Sequence, residues 1–197
     1  MPLLTKTHIE VWISHGCFLG HNGRGELGAK YPPNPKSRQG RAILTWKGKL
    51  LHIHIAKAGG EPMNEVQTAS LQQGIGIEGD RYATGNGKYS PFPDIREITL
   101  IENETLIALK RDHEVDLVPG EHRRNLTTEN VPLNHLVGKR FWVGSVLLEG
   151  GRLNTPCRYL DLITKKSVYE FLKHRSGLNC SIVKSGMIST GDLIRPV

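Results

Sequence analysis

Along most of the chain, hydrophobic and polar residues exchange places every two positions, and this pattern predicts short strands more often than helices. Leu51-His52-Ile53-His54-Ile55 alternates cleanly, which predicts a strand with one buried face. His52 and His54 then project together from the opposite face. Two imidazoles so placed could share a metal, but with no third ligand nearby a plain polar strand face is the simpler reading. Arg96 to Ile101 alternates in the same way. From Glu102 to Lys110 the period lengthens. Leu106 and Leu109 fall at helical spacing, with acids early and Lys110 and Arg111 late, as the helix dipole favours. Phe141-Trp142-Val143 and Val146-Leu147-Leu148 flank Gly144-Ser145, a two-residue hairpin signal, and Gly150-Gly151 is expected to break the second strand. Thr164 is placed to cap a helix carrying Val168, Phe171 and Leu172 on one face. Cys180 to Val183 and Leu193-Ile194 read as closing strands. Many short strands and two or three short helices predict a predominantly β (α+β) domain, a barrel, over residues 46–197.

Residues 1–45 do not follow the pattern. His21 to Gly25 and Tyr31 to Pro35 are dense in turn and breaker residues, which predicts a flexible extension. Residues 1–49 hold eight Lys/Arg against two Asp/Glu, so most of the net charge of +7 lies there and the body is close to neutral. A broad nucleic-acid surface on the main domain is therefore not expected, because such binding rests on many phosphate contacts. A basic leader contacting RNA or an acidic partner, or serving as a targeting segment, is the alternative use of that segment. No apolar run is long enough for a membrane helix. The three cysteines, Cys17, Cys157 and Cys180, are too scattered for a disulfide framework, which fits a reducing, cytoplasmic setting.

Candidate chemistry concentrates in two places. In Pro119 to Asn130, His122, Arg123 and Arg124 precede a β-prone Asn125-Leu126-Thr127-Thr128, so a rigid strand mouth carries donors for an anion. Alternate strand residues point to opposite sides, so Arg123 and Arg124 cannot face one pocket unless a bulge intervenes. Cys157 follows Pro156 and precedes Arg158, a cation that favours a thiolate able to carry a persulfide sulfur or ligate a soft metal. Cys180, in an apolar strand, reads as core. Gly79-Asp80-Arg81 reads as a turn in which Asp80 orients Arg81 as a fork for phosphate or carboxylate, or simply forms a salt bridge. Gly74 to Gly79 matches G-x-G-x-x-G, but Gly85, Gly87 and Pro91 leave no room for the helix that a dinucleotide site requires.

Taken together and in order, Gly76 to Tyr82, Arg96 to Glu102, Pro119 to Thr128, Leu136 to Phe141 and Thr155-Pro156-Cys157 resemble the MOSC domain, named for the C-terminal part of molybdenum-cofactor sulfurases, in its short stand-alone form. The resemblance implies a β-barrel. It also implies that Cys157 is the family cysteine, carrying sulfur or ligating molybdenum in the pterin cofactor. By motif, Asp80 and Arg81 belong to the Gly-Asp-Arg element, and Arg124 and Asn125 to the Arg/Asn strand near that cofactor. His122 and Arg123 belong to the Glu-His-Arg-Arg of the short members, and Arg158 follows the cysteine. Similar domains reduce N-hydroxylated compounds with electrons from a reductase. The chain lacks the pyridoxal-phosphate desulfurase domain of the sulfurases, so pyridoxal phosphate is not expected. The resemblance thus implies molybdenum-cofactor binding with a redox partner. A sulfur carrier loaded by a cysteine desulfurase is the second reading, and a non-catalytic binding module the third.

Overall fold

The computed structural model describes residues 46–197; the expected extension over residues 1–45, with Cys17, lies outside that range. In chain order the strands begin with β1 (Gly48–Ile55), β2 (Asn64–Val66), β3 (Thr68–Gln72), β4 (Gly76–Ile77) and β5 (Ile98–Glu102). Helix α1 (Asn103–His113) leads to β6 (Leu126–Glu129), a 3-10 turn at Leu133–His135, β7 (Arg140–Val143) and β8 (Val146–Leu153). Helix α2 (Arg158–Thr164) precedes β9 (Leu178–Lys184), β10 (Gly186–Ser189) and β11 (Leu193–Pro196). The main sheet runs β11-β7-β8-β9-β5-β6-β1-β2, and β11 pairs back onto β1. That last pairing closes a barrel, with β2 outside the ring and β10-β3-β4 forming a small second sheet. Among the described residues no helix is long and apolar enough to cross a membrane.

The barrel interior follows from the alternating apolar positions. Leu50, Ile53, Ile98, Leu100, Leu126, Phe141, Leu148, Leu178 and Ile182 form one buried cluster. In β1 the register slips between Leu50 and His52, a bulge that lets Leu50 and Ile53 both point inward although they are three apart. His52 and His54 keep a common outward direction, but the expected polar strand face is corrected at His54. Its ring is only 1% exposed, because the Pro119–His122 turn covers it. A Cβ on Gly120 would come within 3.1 Å of the His54 ring, so that turn needs glycine there.

β5 and β6 run parallel, and α1 is the crossover that parallel pairing requires. The helix ends at Glu114 in the left-handed conformation, with Lys110, Arg111 and His113 in its last turn. Leu109 on its inner face packs with Ile101, Leu117, Leu160, Val168 and Leu172 in a second cluster.

Two expectations are corrected. Gly150-Gly151 does not break β8, which runs on to Leu153 with a register slip between Gly150 and Arg152. The glycine is there because Leu136 presses on the strand, where a Cβ at Gly150 would meet the Leu136 carbonyl oxygen at 2.1 Å. Thr164 does not cap a following helix; it ends α2, and its hydroxyl donates back to the Leu160 carbonyl at 2.7 Å. The Asp161 carboxylate accepts from the amides of both Val168 and Tyr169 at 2.8 Å, holding the segment as turns while Val168 and Leu172 still reach the core. Gly74 to Gly79 carries the short strand β4 and no helix, as the glycine spacing predicts.

Candidate active site

The site is a cavity of about 280 Å³, and most of the side chains in its walls come from turns and loops at strand ends. The turn after β4 supplies Arg81 and Tyr82, and the Gly/Pro-rich loop that follows supplies Lys88, Tyr89 and Arg96. The approach to β6 supplies Arg123 and Arg124, the end of β8 supplies Arg152 and Asn154, and the loop into α2 supplies Cys157 and Tyr159.

Asp80 lies behind the wall. One carboxylate oxygen accepts from the Ala56 amide at 3.1 Å and from Arg81 Nη1 at 3.0 Å, and the other accepts from the Tyr82 amide at 3.2 Å. The acid thus fixes both the turn and the guanidinium. Arg81 Nη2 in turn donates to the Arg123 carbonyl at 3.1 Å. Arg123 has φ 64, in the left-handed region. That local reversal breaks the strand alternation, so Arg123 and Arg124 both line the cavity. The two residues also lie before β6, which starts only at Leu126.

Arg124 is buried. Its Nε donates to the Ser176 carbonyl at 3.0 Å, Nη2 to the Ser176 hydroxyl at 2.6 Å and Nη1 to the His122 carbonyl at 3.0 Å. Among the described residues no carboxylate pairs with it, nor with Arg123 or Lys88. Burial lowers the Arg124 pKa to about 10, an effect that attraction from Cys157 partly opposes. Burial, then repulsion by Arg81, lowers that of Arg123. Arg124 stays cationic at neutral pH, and a buried cation without a countercharge is costly unless an anion joins it.

Cys157 is half-buried and precedes α2 with extended backbone. The Tyr89 hydroxyl donates to its Sγ at 3.3 Å. Burial and that hydrogen bond push the Tyr89 phenol up to about 12, so it remains a donor throughout the physiological range. Arg96 lies 5.7 Å from the ring centroids of both Tyr82 and Tyr89, and Lys88 Nζ sits 3.5 Å from that of Tyr159.

The remaining candidates lie elsewhere. Asn125 Oδ1 accepts from the Thr99 hydroxyl at 2.8 Å and its Nδ2 donates to the His54 carbonyl at 3.1 Å, so its amide ties β1 to β5. Arg158 turns away toward Tyr169 and Glu170, its side chain 77% exposed. His122 is buried and does not line the cavity; its Nδ1 accepts from the Arg124 amide at 3.1 Å, which leaves Nε2 to donate to Thr127 at 3.2 Å. Its ring meets that of His54 edge-on at 5.6 Å, and His52 lies 5.9 Å from His54. Folding thus gathers three imidazoles, yet no group of three metal-ligating side chains among the described residues is arranged to hold an ion. Cys180 is fully buried, and desolvation raises its thiol above the ordinary range.

The histidine cluster makes the fold acid-sensitive. Burial lowers the pKa of both His54 and His122, and repulsion from His54, then from Arg124 and His52, adds to it at His122. With folded values below the unfolded 6.5, the unfolded chain binds more protons as pH falls. The stability these two rings contribute is therefore fully present above the unfolded value of 6.5 and is lost progressively as pH falls below it. Urea unfolding on either side of that value checks this, and His54→Gln should flatten the loss.

Sequence reasoning missed Lys88, Tyr89, Arg96 and Arg152 as lining residues. Lys88-Tyr89 offered a weak signal, a cation and an aromatic between Gly87 and Pro91 in an otherwise bland loop. Arg152 offered none, because only the pairing of β8 with β9 brings it beside the cavity.

Comparison with known proteins gives a consistent result. The MOSC domain family matches residues 89–195, just over half of the chain. The fold is similar to that of YuaD from Bacillus subtilis, with TM-score 0.65 and 18% identity over 76% of this chain and 96% of that one. It is also similar to YiiM from Geobacillus stearothermophilus, at TM-score 0.60 and 14% identity over 76% and 75% of the two chains. YiiM from Escherichia coli follows at TM-score 0.56 and 19% identity over 76% and 69%. No curated protein matches the chain. Matched sequence and barrel together make this chain a member of the MOSC domain family.

Proposed function

We propose that the chain binds the molybdenum cofactor in this cavity, with the Cys157 sulfur as protein ligand to the metal. The observation that carries the reading is one thiol sharing a cavity with Lys88, Arg123 and Arg124, three cations without carboxylate partners among the described residues. The donor set fits the group: Cys157 would offer a soft sulfur to molybdenum, the guanidiniums would hold the phosphate, and Tyr82 and Tyr159 of the lining would offer aromatic contact to the pterin. When bound, the cofactor supplies a two-electron redox centre. Around it, the chain's own groups act by position. Asp80 holds Arg81, Arg81 holds the Arg123 turn, and the Tyr89 hydroxyl donates to sulfur and stabilises negative charge there. The reaction is reduction of an N-hydroxylated compound, R–NHOH + 2e⁻ + 2H⁺ → R–NH₂ + H₂O, with electrons from a partner reductase in the cytoplasm.

A second reading has one observation in its favour. Cys157 is free and partly exposed while Cys180 is free but sealed in the core. A thiol that alone is accessible among the described residues, beside a hydroxyl donor, also suits a carrier that accepts a persulfide from a desulfurase. Metal analysis separates the two. The protein, purified from cells that make the cofactor, is expected to hold close to one molybdenum per chain. Protein without molybdenum but with cyanide-labile sulfur on Cys157 would replace the first reading by the second.

A further inference from the structure

The charge around the cavity exceeds what one phosphate can match. Its lining holds six cations, Arg81, Lys88, Arg96, Arg123, Arg124 and Arg152, and no carboxylate among the described residues. Two acids stand behind them: Asp80 on Arg81, and Asp94 shared by Arg96 and Arg152. Four positive charges are left over. A phosphate monoester brings only about −1.5 to −2 at neutral pH.

The surplus falls into two groups that differ in their partners. Arg123 and Arg124, from the turn before β6, and Lys88 have no carboxylate partner among the described residues. In the second group, Asp94 clamps two guanidiniums. It accepts from Arg96 at 2.5 Å and from Arg152 Nε at 2.8 Å, with a second contact to Arg152 Nη2. The clamp carries a net positive charge, and its Arg152 side chain is 40% exposed. Its donors are not exhausted. A guanidinium has five N–H groups. Arg96 uses its two recorded bonds on Asp94 and the Tyr89 carbonyl, and Arg152 its three on Asp94 and the Leu153 carbonyl. Arg96 is further fixed between the rings of Tyr82 and Tyr89, so its unused N–H groups are held in place without a bound ligand.

We propose that the cavity takes two anionic groups at once: the pterin cofactor's phosphate at Arg123, Arg124 and Lys88, and a second phosphate or carboxylate at the Arg96–Asp94–Arg152 clamp. The inference rests on the reading that the cavity holds that cofactor. The second group belongs either to a nucleotide-extended cofactor, through its pyrophosphate, or to an N-hydroxylated substrate that bears an acid.

Calorimetric titration of the full chain, free of cofactor, with inorganic phosphate tests the number of sites. Two equivalents are expected, and Arg152→Gln, a change at an exposed side chain, should weaken one of them about ten- to a hundredfold while sparing the other. One equivalent in the unaltered protein, or two unaffected by Arg152→Gln, overturns this inference and leaves the cofactor reading standing. No phosphate binding at all overturns both. Mass measurement of the cofactor released from loaded protein then identifies the source. A pyrophosphate-linked nucleotide places the second group on the cofactor. With a single-phosphate form, an acid-bearing N-hydroxylated substrate should show a lower KM than its neutral amide, and Arg152→Gln should erase the difference. A single-phosphate form with no such preference overturns the proposal.

Discussion

Replacing Cys157 by serine should leave the barrel intact and remove the metal. The side chain is half-buried, its one recorded hydrogen bond comes from Tyr89, and serine is close to it in size, so the change in folding stability should stay within about 0.5 kcal/mol. Molybdenum content and activity respond differently, because a neutral hydroxyl is a poor substitute for a thiolate toward a soft metal. The expected outcome is a loss of molybdenum of roughly tenfold or more, with activity falling below detection. Circular dichroism and metal analysis on the same preparation read both quantities. A serine variant with full metal and full activity would show that the sulfur touches neither metal nor substrate.

The second large effect is expected at Arg124. Alanine there removes a buried cation, which relieves a desolvation penalty, but it also strands the Ser176 carbonyl and hydroxyl and the His122 carbonyl. Unpaired buried acceptors are the costlier side, so Arg124→Ala should lower folding stability by about 1–3 kcal/mol. Phosphate affinity and cofactor retention should weaken by a further 1–3 kcal/mol or so, the scale of a lost charged hydrogen bond. Arg124→Lys separates the two roles. It keeps the charge but cannot reach three acceptors in one plane, so it should recover more anion affinity than stability. Melting temperature and phosphate titration measure the pair. Unchanged phosphate affinity in the alanine variant would mean that Arg124 serves the Ser176 loop alone.

How much of this was legible in the chain depends on how local each cause is. The β1 pattern, the β7–β8 hairpin and α1 are set by neighbours within a few residues, and the periodicity announces them. Gly150 was misread because its reason lies on another segment: Leu136 crosses β8 there. The stretch after Thr164 was misread because Asp161 captures the amides of Val168 and Tyr169, while Val168 and Leu172 keep a spacing that a helix would also give. His54 has the polarity of a surface residue and sits beneath a turn that begins 65 positions later. The site divides in the same way. Cys157, Arg81, Arg123 and Arg124 stand out locally as a lone thiol and closely spaced cations, and the cavity gathers all four. Sequence alternation set Arg123 and Arg124 on opposite sides, and only the left-handed turn held by Arg81 reverses that. Tyr89 and the Asp94 clamp join the wall through contacts across 68 and 58 positions, which no local pattern records.

The closure of the barrel has a consequence for its biosynthesis. β1 is completed by β11, with Gly48 opposite Ile194 and Lys49 opposite Leu193. As the chain leaves the ribosome, β1 emerges early and waits for nearly the whole domain before that edge is covered. An uncovered strand edge is a template for pairing with other chains, and closing so long a loop is slow. Nascent protein is therefore most exposed to aggregation and to chaperone capture just before its last strand arrives.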